Sequence, residues 1–68
     1  NYIPTAAELI LLSFLKKQGN CTAERNLIVQ LFSEDHLADS AIEGCRTKGF
    51  ITENSNTISL TSYGKTLV

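Results

Sequence analysis

Residues 33–61 of this chain read SEDHLADSAIEGCRTKGFITENSNTISLT, and the spacing of the apolar residues changes partway through that stretch. The hydroxyl residue Ser33, followed by two acids, predicts the start of a helix, because the hydroxyl caps backbone amides and acids favour the positive helix end. Apolar residues then recur at helical spacing until Gly49. We therefore expect a helix over about residues 34–48. Its inward side comprises Ala38, Ala41, Ile42 and Cys45, with Leu37 adjoining.

The end of the stretch predicts a β-hairpin. Residues 50–52 and 57–61 are β-branched and apolar, and the polar residues 53–56 separate them. Two such runs flanking a polar turn are typical of paired antiparallel strands. The tail that follows, residues 63–68, ends in aliphatic residues that would suit the start of another helix.

Two further helices are predicted ahead of this stretch. The sequence TAAE at residues 5–8 follows a proline and has the capping-box pattern, which predicts a first helix over about 6–17. Gly19 is expected to supply the left-handed exit from that helix. Thr22 is expected to cap a second helix over about 23–32, joined to the third by a tight turn.

Periodicity also predicts which side of each early helix is buried. The stripes comprise Ala7, Ile10, Leu11 and Phe14 on the first helix and Leu27, Ile28, Leu31 and Phe32 on the second. Arg25 is expected to face water. Leu9 and Leu12 fall on the other side of the first helix, where either Tyr2 and Ile3 fold back over them or they contact a protein partner. The predicted core comprises Leu11, Phe14, Leu27, Leu31, Ala41, Ile42, Cys45, Ile51 and Leu60.

Composition limits the classes of protein to which the chain can belong. Its 68 residues suit one small domain, and no apolar run approaches the roughly 18 residues of a membrane span. Cys21, Cys45 and His36 are too few for a four-ligand zinc site, and two cysteines are too few for a disulfide framework. We therefore expect reduced thiols, no metal, no cofactor and a cytoplasmic setting. The sequence has no recognisable secretory signal. Because the chain begins with Asn1 and not Met, we expect the single domain, residues 1–68, to be excised from a longer protein.

The order of the predicted elements resembles that of winged helix-turn-helix domains: helix, short extended link, helix, tight turn, helix, hairpin. The sequence CRTKGFI at residues 45–51 resembles the end of a recognition helix that leads into the wing. The sequence LTSYGK at 60–65 is similar to the segment that closes the wing in MarR-like bacterial regulators. This resemblance covers nearly the whole chain. It implies an α+β, mainly α fold, in which a three-helix bundle carries a C-terminal two-stranded wing over about 50–61.

The same resemblance implies that the domain binds double-stranded DNA within a transcriptional or replication regulator, with 34–48 as the recognition helix. The side chains expected to meet DNA are His36, Asp39, Ser40, Glu43 and Thr47, with Arg46 on the flank and Lys48 leading into the wing. The alternative interpretation of His36, Asp39 and Glu43 is that they are merely solvated. No phosphate loop and no arrangement of nucleophile and base occurs, so the sequence predicts a binding protein and not an enzyme.

Charge is the observation against DNA binding. The formal net charge is −1, whereas affinity for nucleic acid comes largely from neutralised phosphates. Residues 33–49 contain four acids and two bases, and the hairpin turn contains no Lys or Arg. A second hypothesis therefore stays open, in which the domain serves protein–protein contact or self-association through Leu9 and Leu12.

Overall fold

The computed structural model describes residues 3–68. Its elements are α1 (Ala6–Lys17), a 3₁₀ turn (Gly19–Cys21), β1 (Thr22–Glu24), α2 (Arg25–Val29), α3 (Asp35–Thr47), β2 (Ile51–Asn54), β3 (Thr57–Leu60) and α4 (Ser62–Lys65). Helices predominate, and the strands form one antiparallel sheet in the order β1-β3-β2. The expected α+β, mainly α class is confirmed at this level. Within the described range, no helix is both long and apolar enough to cross a membrane.

Helix α1 begins as predicted, with a complete capping box. The Thr5 hydroxyl accepts a hydrogen bond from the Glu8 backbone N–H at 3.2 Å, and the Glu8 carboxylate accepts one from the Thr5 N–H at 3.0 Å. The predicted exit is wrong, because Gly19 does not have a positive φ. Asn20 and Cys21 take the left-handed conformation instead, with φ of 61° and 53°, since the chain first makes a 3₁₀ turn.

The buried face of α1 differs from the predicted stripe. Its fully buried apolar side chains are Leu11, Leu12 and Leu15, and Ile10 is half exposed. The predicted placement of Leu12 off the buried stripe is therefore wrong, and Leu12 is not available to a partner. Helix α1 packs against both α3 and the sheet, so its buried arc is centred one position further round the helix than the stripe predicted from periodicity. Tyr2 lies outside the described residues, and Ile3 is 85% exposed, so Ile3 does not cover Leu9.

Strand β1 occupies residues that were predicted to start the second helix. Thr22 lies opposite Ser59 of β3, and their hydroxyl oxygens are 3.0 Å apart. The predicted cap at Thr22 and the helix 23–32 are wrong, because α2 spans only Arg25–Val29. Pairing with β3 supplies hydrogen-bond partners for the backbone of residues 22–24. These partners lie far along the chain, so the spacing of apolar residues near Thr22 does not indicate the strand.

The predicted hairpin is confirmed, with a longer first strand, a second strand one residue shorter and a tighter turn. Glu53 and Asn54 belong to β2, so the turn consists of Ser55 and Asn56 alone. Both turn residues have positive φ, 50° and 67°, as a two-residue type I′ turn requires. This turn matches the right-handed twist of the strands on either side.

The core lies where α1 and α3 cover the sheet, with Phe50 as its largest fully buried side chain. The predicted core members that are buried there are Leu11, Ala41, Ile42, Cys45, Ile51 and Leu60. Leu27 is exposed, because the short α2 supplies Ile28 alone to the interior. Phe14 and Leu31 are only partly buried, since both line the open groove beside α1.

Helix α3 buries Ala38, Ala41, Ile42 and Cys45 as predicted. Two details differ from expectation. Leu37 is exposed, and the residue at the N-cap is Glu34, which makes no side-chain capping bond, and not Ser33. The tail contains a short helix, α4, which the Thr61 hydroxyl caps by accepting a hydrogen bond from the Gly64 N–H at 3.0 Å.

Candidate nucleic-acid interface

Helix α3 presents one continuous exposed face beside the hairpin formed by β2 and β3. His36, Asp39, Ser40, Glu43 and Thr47 are all exposed, on the side of α3 opposite its buried alanines. The structure thus brings together these five side chains, which were predicted to meet DNA. We call this surface, together with the exposed part of the hairpin that the sequence predicts to be a wing, the α3–wing face.

Arg25, the first residue of α2, joins this face to the rest of the domain. One guanidinium nitrogen donates to the Asp39 carboxylate of α3 at 2.8 Å, and another donates to the Glu53 carboxylate of β2 at 2.8 Å. Hydrogen bonds to Asp39 and then to Glu53 raise the pKa of Arg25 above its usual value. The sequence analysis expected Arg25 to face water. No local pattern signals its role, because its two partners lie 14 and 28 positions further along the chain.

Arg46 lies on the flank of α3, as predicted, and is exposed. Its guanidinium group donates to both carboxylate oxygens of Glu43, one helical turn earlier. This pairing raises the pKa of Arg46 above its usual value. An exposed pair within one helix contributes little to stability, so Arg46 can exchange Glu43 for another anion at small cost.

Lys48 is not on the α3–wing face. Its ammonium group donates to the Glu8 carboxylate at 2.7 Å and lies 3.4 Å from the Ile3 carbonyl oxygen, on the flank of α3 that meets α1. Glu8 is buried, and Gly44 leaves room for it, since a Cβ atom at Gly44 would lie 2.1 Å from a Glu8 oxygen. Lys48 thereby links the end of α3 to the start of α1.

The α3–wing face is acidic. Five carboxylates and two guanidinium groups lie on or beside it, which leaves a charge of −3: Glu34, Asp35, Asp39, Glu43 and Glu53 against Arg25 and Arg46. Both guanidinium groups are already bonded to carboxylates of the same face. A phosphate backbone approaching this face would therefore meet net repulsion.

The exposed side of α1 forms an open apolar groove of about 440 Å³. Leu9, Ile10, Ser13, Phe14, Lys17 and Leu31 line it. Of the two side chains that were predicted to meet a partner, Leu9 lies at this groove and Leu12 is buried in the core.

The two cysteines differ in burial, since Cys21 is partly buried and Cys45 is fully buried. Cys21 and Cys45 are both free thiols, and burial raises the pKa of the Cys45 thiol to about 12. Within residues 3–68, no group of three or more His, Cys, Asp or Glu side chains is arranged to hold a metal ion.

Comparisons of the chain with protein-family models, with curated proteins and with solved structures found no match.

Proposed function

We propose that this chain is a winged helix-turn-helix domain that binds double-stranded DNA, with α3 as the recognition helix and the β2–β3 hairpin as the wing. The observation that carries the proposal is the exposed row of polar side chains along α3, held beside the hairpin by a short second helix. The element order α1, β1, α2, α3, β2, β3 supports it, because it is the order that the resemblance to winged-helix domains implies. The proposed activity is binding, without catalysis.

The exposed row carries groups that can read base edges. Helix α3 has 13 residues and is therefore about 20 Å long. The major groove of DNA is about 12 Å wide, which is wide enough to admit an α-helix of ordinary diameter. Ser40 and Thr47 can donate to or accept from bases, and Asp39 and Glu43 can accept from cytosine amines. We expect these contacts to determine sequence preference.

The acidic face sets the expected affinity. Arg46 is the cation best placed to leave its carboxylate for a phosphate. If each domain neutralises about two phosphates, the logarithm of the binding constant falls with the logarithm of salt concentration with a slope of about −2. Such a small electrostatic contribution predicts weak non-specific binding, so a pair of domains on adjacent half-sites is the expected functional unit.

A second candidate function, protein–protein contact, is favoured by the apolar groove on α1. Leu9 and Ile10 remain exposed there, with Lys17 beside them. An adaptor would need no phosphate contact, so the negative charge of the α3–wing face would not weaken its binding. The free thiols fit a cytoplasmic setting for either function.

A salt-dependent duplex titration separates the two candidates. Fluorescence anisotropy would follow the chain binding to duplexes selected from a randomised pool and to a non-specific duplex. Arg46→Gln should weaken both complexes and reduce the salt slope by about one. Lys16→Gln, which removes the same charge from α1, should leave the slope unchanged. Ser40→Ala should change the ratio of selected to non-specific binding.

The opposite results would support the adaptor. No salt-dependent binding near physiological ionic strength, by the chain or by a fused dimer of it, would refute the DNA proposal. In that case Leu9→Glu should abolish self-association in sedimentation equilibrium while leaving the thermal melt unchanged.

A further inference from the structure

Arg25 contacts two other elements of the domain at once. Its backbone N–H donates to the Asn56 carbonyl in the hairpin turn at 2.7 Å. Its side chain donates to Glu53 in β2 and to Asp39 in α3, each at 2.8 Å. The first residue of α2 is therefore bonded to the turn of the wing, to a strand of the wing and to the recognition helix.

The chemistry of this junction requires an arginine. Asp39 and Glu53 come from different elements, and their negative charges would repel each other if no cation lay between them. A planar guanidinium group can donate to both carboxylates from separate nitrogens, whereas a lysine ammonium is a single point of charge on a flexible stem. The side chains of Arg25 and Glu53 are only 29% and 24% exposed, so solvent screens this pair less than it screens an open surface pair.

We infer that Arg25 is a positioning residue that fixes the wing relative to α3, and that it thereby sets the sequence specificity of DNA binding without touching a base. The mechanical part of this inference rests on the contacts alone, and the part about specificity rests on the proposed function. Loss of Arg25 would leave two carboxylates repelling each other across the junction between β2 and α3. The wing would then sample a wider range of positions beside the helix.

The chain contains a matched control for this inference. Arg46 is also an arginine on the α3–wing face and is also bonded to a carboxylate, but its partner Glu43 lies on the same helix. Removing Arg46 therefore takes the same charge from the same face without disconnecting any element. Any difference in hydrogen exchange or DNA affinity between Arg25→Gln and Arg46→Gln therefore comes from the contacts of Arg25 with Asp39 and Glu53, and not from the loss of one positive charge.

The first experiment measures hydrogen exchange of hairpin amides by NMR in the free chain. Arg25→Gln should speed exchange in β2 and β3 by about fivefold relative to the rest of the domain, since the partly shielded pair with Glu53 and the exposed pair with Asp39 are both lost. Arg25→Lys should give an intermediate increase, and Arg46→Gln should give none. In a background of Asp39→Asn with Glu53→Gln, Arg25→Gln should add little, and this background keeps the test valid if the single variant unfolds. Equal exchange in Arg25→Gln and Arg46→Gln would overturn the inference.

The second experiment measures binding to a duplex selected from a randomised pool by the unchanged chain, and to a non-specific duplex. Arg25→Gln should lower the ratio of the two affinities by about tenfold, while Arg46→Gln should lower both affinities together and keep their ratio. An unchanged ratio in Arg25→Gln would overturn the role in specificity. A third outcome separates the two claims: hairpin exchange speeds up in Arg25→Gln, but neither the variants nor the unchanged chain binds duplex DNA. In that case the positioning role of Arg25 holds and the proposed function fails.

Discussion

Gly64 lies directly against the backbone of Phe50, and replacing it with alanine should be strongly destabilising. A Cβ atom there would lie 2.2 Å from the Phe50 carbonyl oxygen, 3.1 Å from the Phe50 carbonyl carbon and 2.9 Å from a Leu60 methyl group. The Phe50 carbonyl cannot easily move away, because it accepts hydrogen bonds from the Thr61 N–H at 3.0 Å and the Thr61 hydroxyl at 2.9 Å. Either these bonds break or α4 leaves the core.

The expected magnitude follows from these contacts. Overpacking against a fixed backbone costs about 1–3 kcal/mol, and each weakened hydrogen bond adds about 1 kcal/mol. The better helix propensity of alanine returns about 1 kcal/mol. Gly64→Ala should therefore lower the free energy of unfolding by about 2–4 kcal/mol, out of a total of about 3–10 kcal/mol for a domain of this size. Detaching α4 offers no cheaper route, because it would separate the Tyr63 and Phe50 rings, whose centroids lie 5.3 Å apart.

Thermal unfolding followed by circular dichroism tests this reasoning. A loss of 2–4 kcal/mol should lower Tm by about 15–30 °C, provided that the variant still folds at low temperature. Gly19→Ala is the matched control, because a Cβ atom there has no neighbour within 4 Å and the backbone does not need a positive φ. It should be neutral or stabilise the domain by a few tenths of a kcal/mol. Equal melting temperatures for the two variants would refute the packing of α4 against Phe50.

Further predictions concern burial. Leu12→Glu should prevent folding, because that side chain is fully buried, whereas Leu9→Glu should melt within a few degrees of the parent; a folded Leu12→Glu would contradict the position of α1. Ala41→Asp should likewise abolish the cooperative melt, since Ala41 is 3% exposed. Burial raises the Cys45 pKa from 9.0 to about 12, so between these pH values the folded state keeps a proton that the unfolded state loses. The free energy of unfolding should therefore fall as the pH rises from 9 to 12, by about 1.4 kcal/mol per pH unit. Cys45→Ala is the control, since its free energy of unfolding should lack this additional fall. A maleimide should label Cys21 faster than Cys45 in the native state, and equal rates would contradict the burial of Cys45.

Some features of this protein follow from local sequence alone. The capping box at Thr5 and Glu8, the apolar period of α3 and the pair of β-branched runs each need only residues within one element. Their physical causes are a side chain bonding to nearby amides, a helix turning one side inward, and strands joined by a short turn. These signals were sufficient to predict the α+β fold class, the buried residues of α3, the burial of Ile51 in β2 and Leu60 in β3, and the exposed row of polar side chains on α3.

Other features depended on contacts between residues far apart in the chain. Thr22 begins a strand and not a helix because β3 lies beside it, and Leu12 is buried because α1 packs against both α3 and the sheet. The spacing of apolar residues indicates which side of a helix is apolar. The elements that pack against the helix decide which part of that side is buried.

The charges of the candidate site show the same division most clearly. The sequence by itself determined how many acids and bases there are, and hence that the region around α3 is acidic. Only the tertiary structure decided which charges meet: Lys48 with Glu8 on α1, and Arg25 with both Asp39 and Glu53. The physical reason is that a salt bridge needs its atoms within about 4 Å, and only the folded chain sets distances between residues from separate elements.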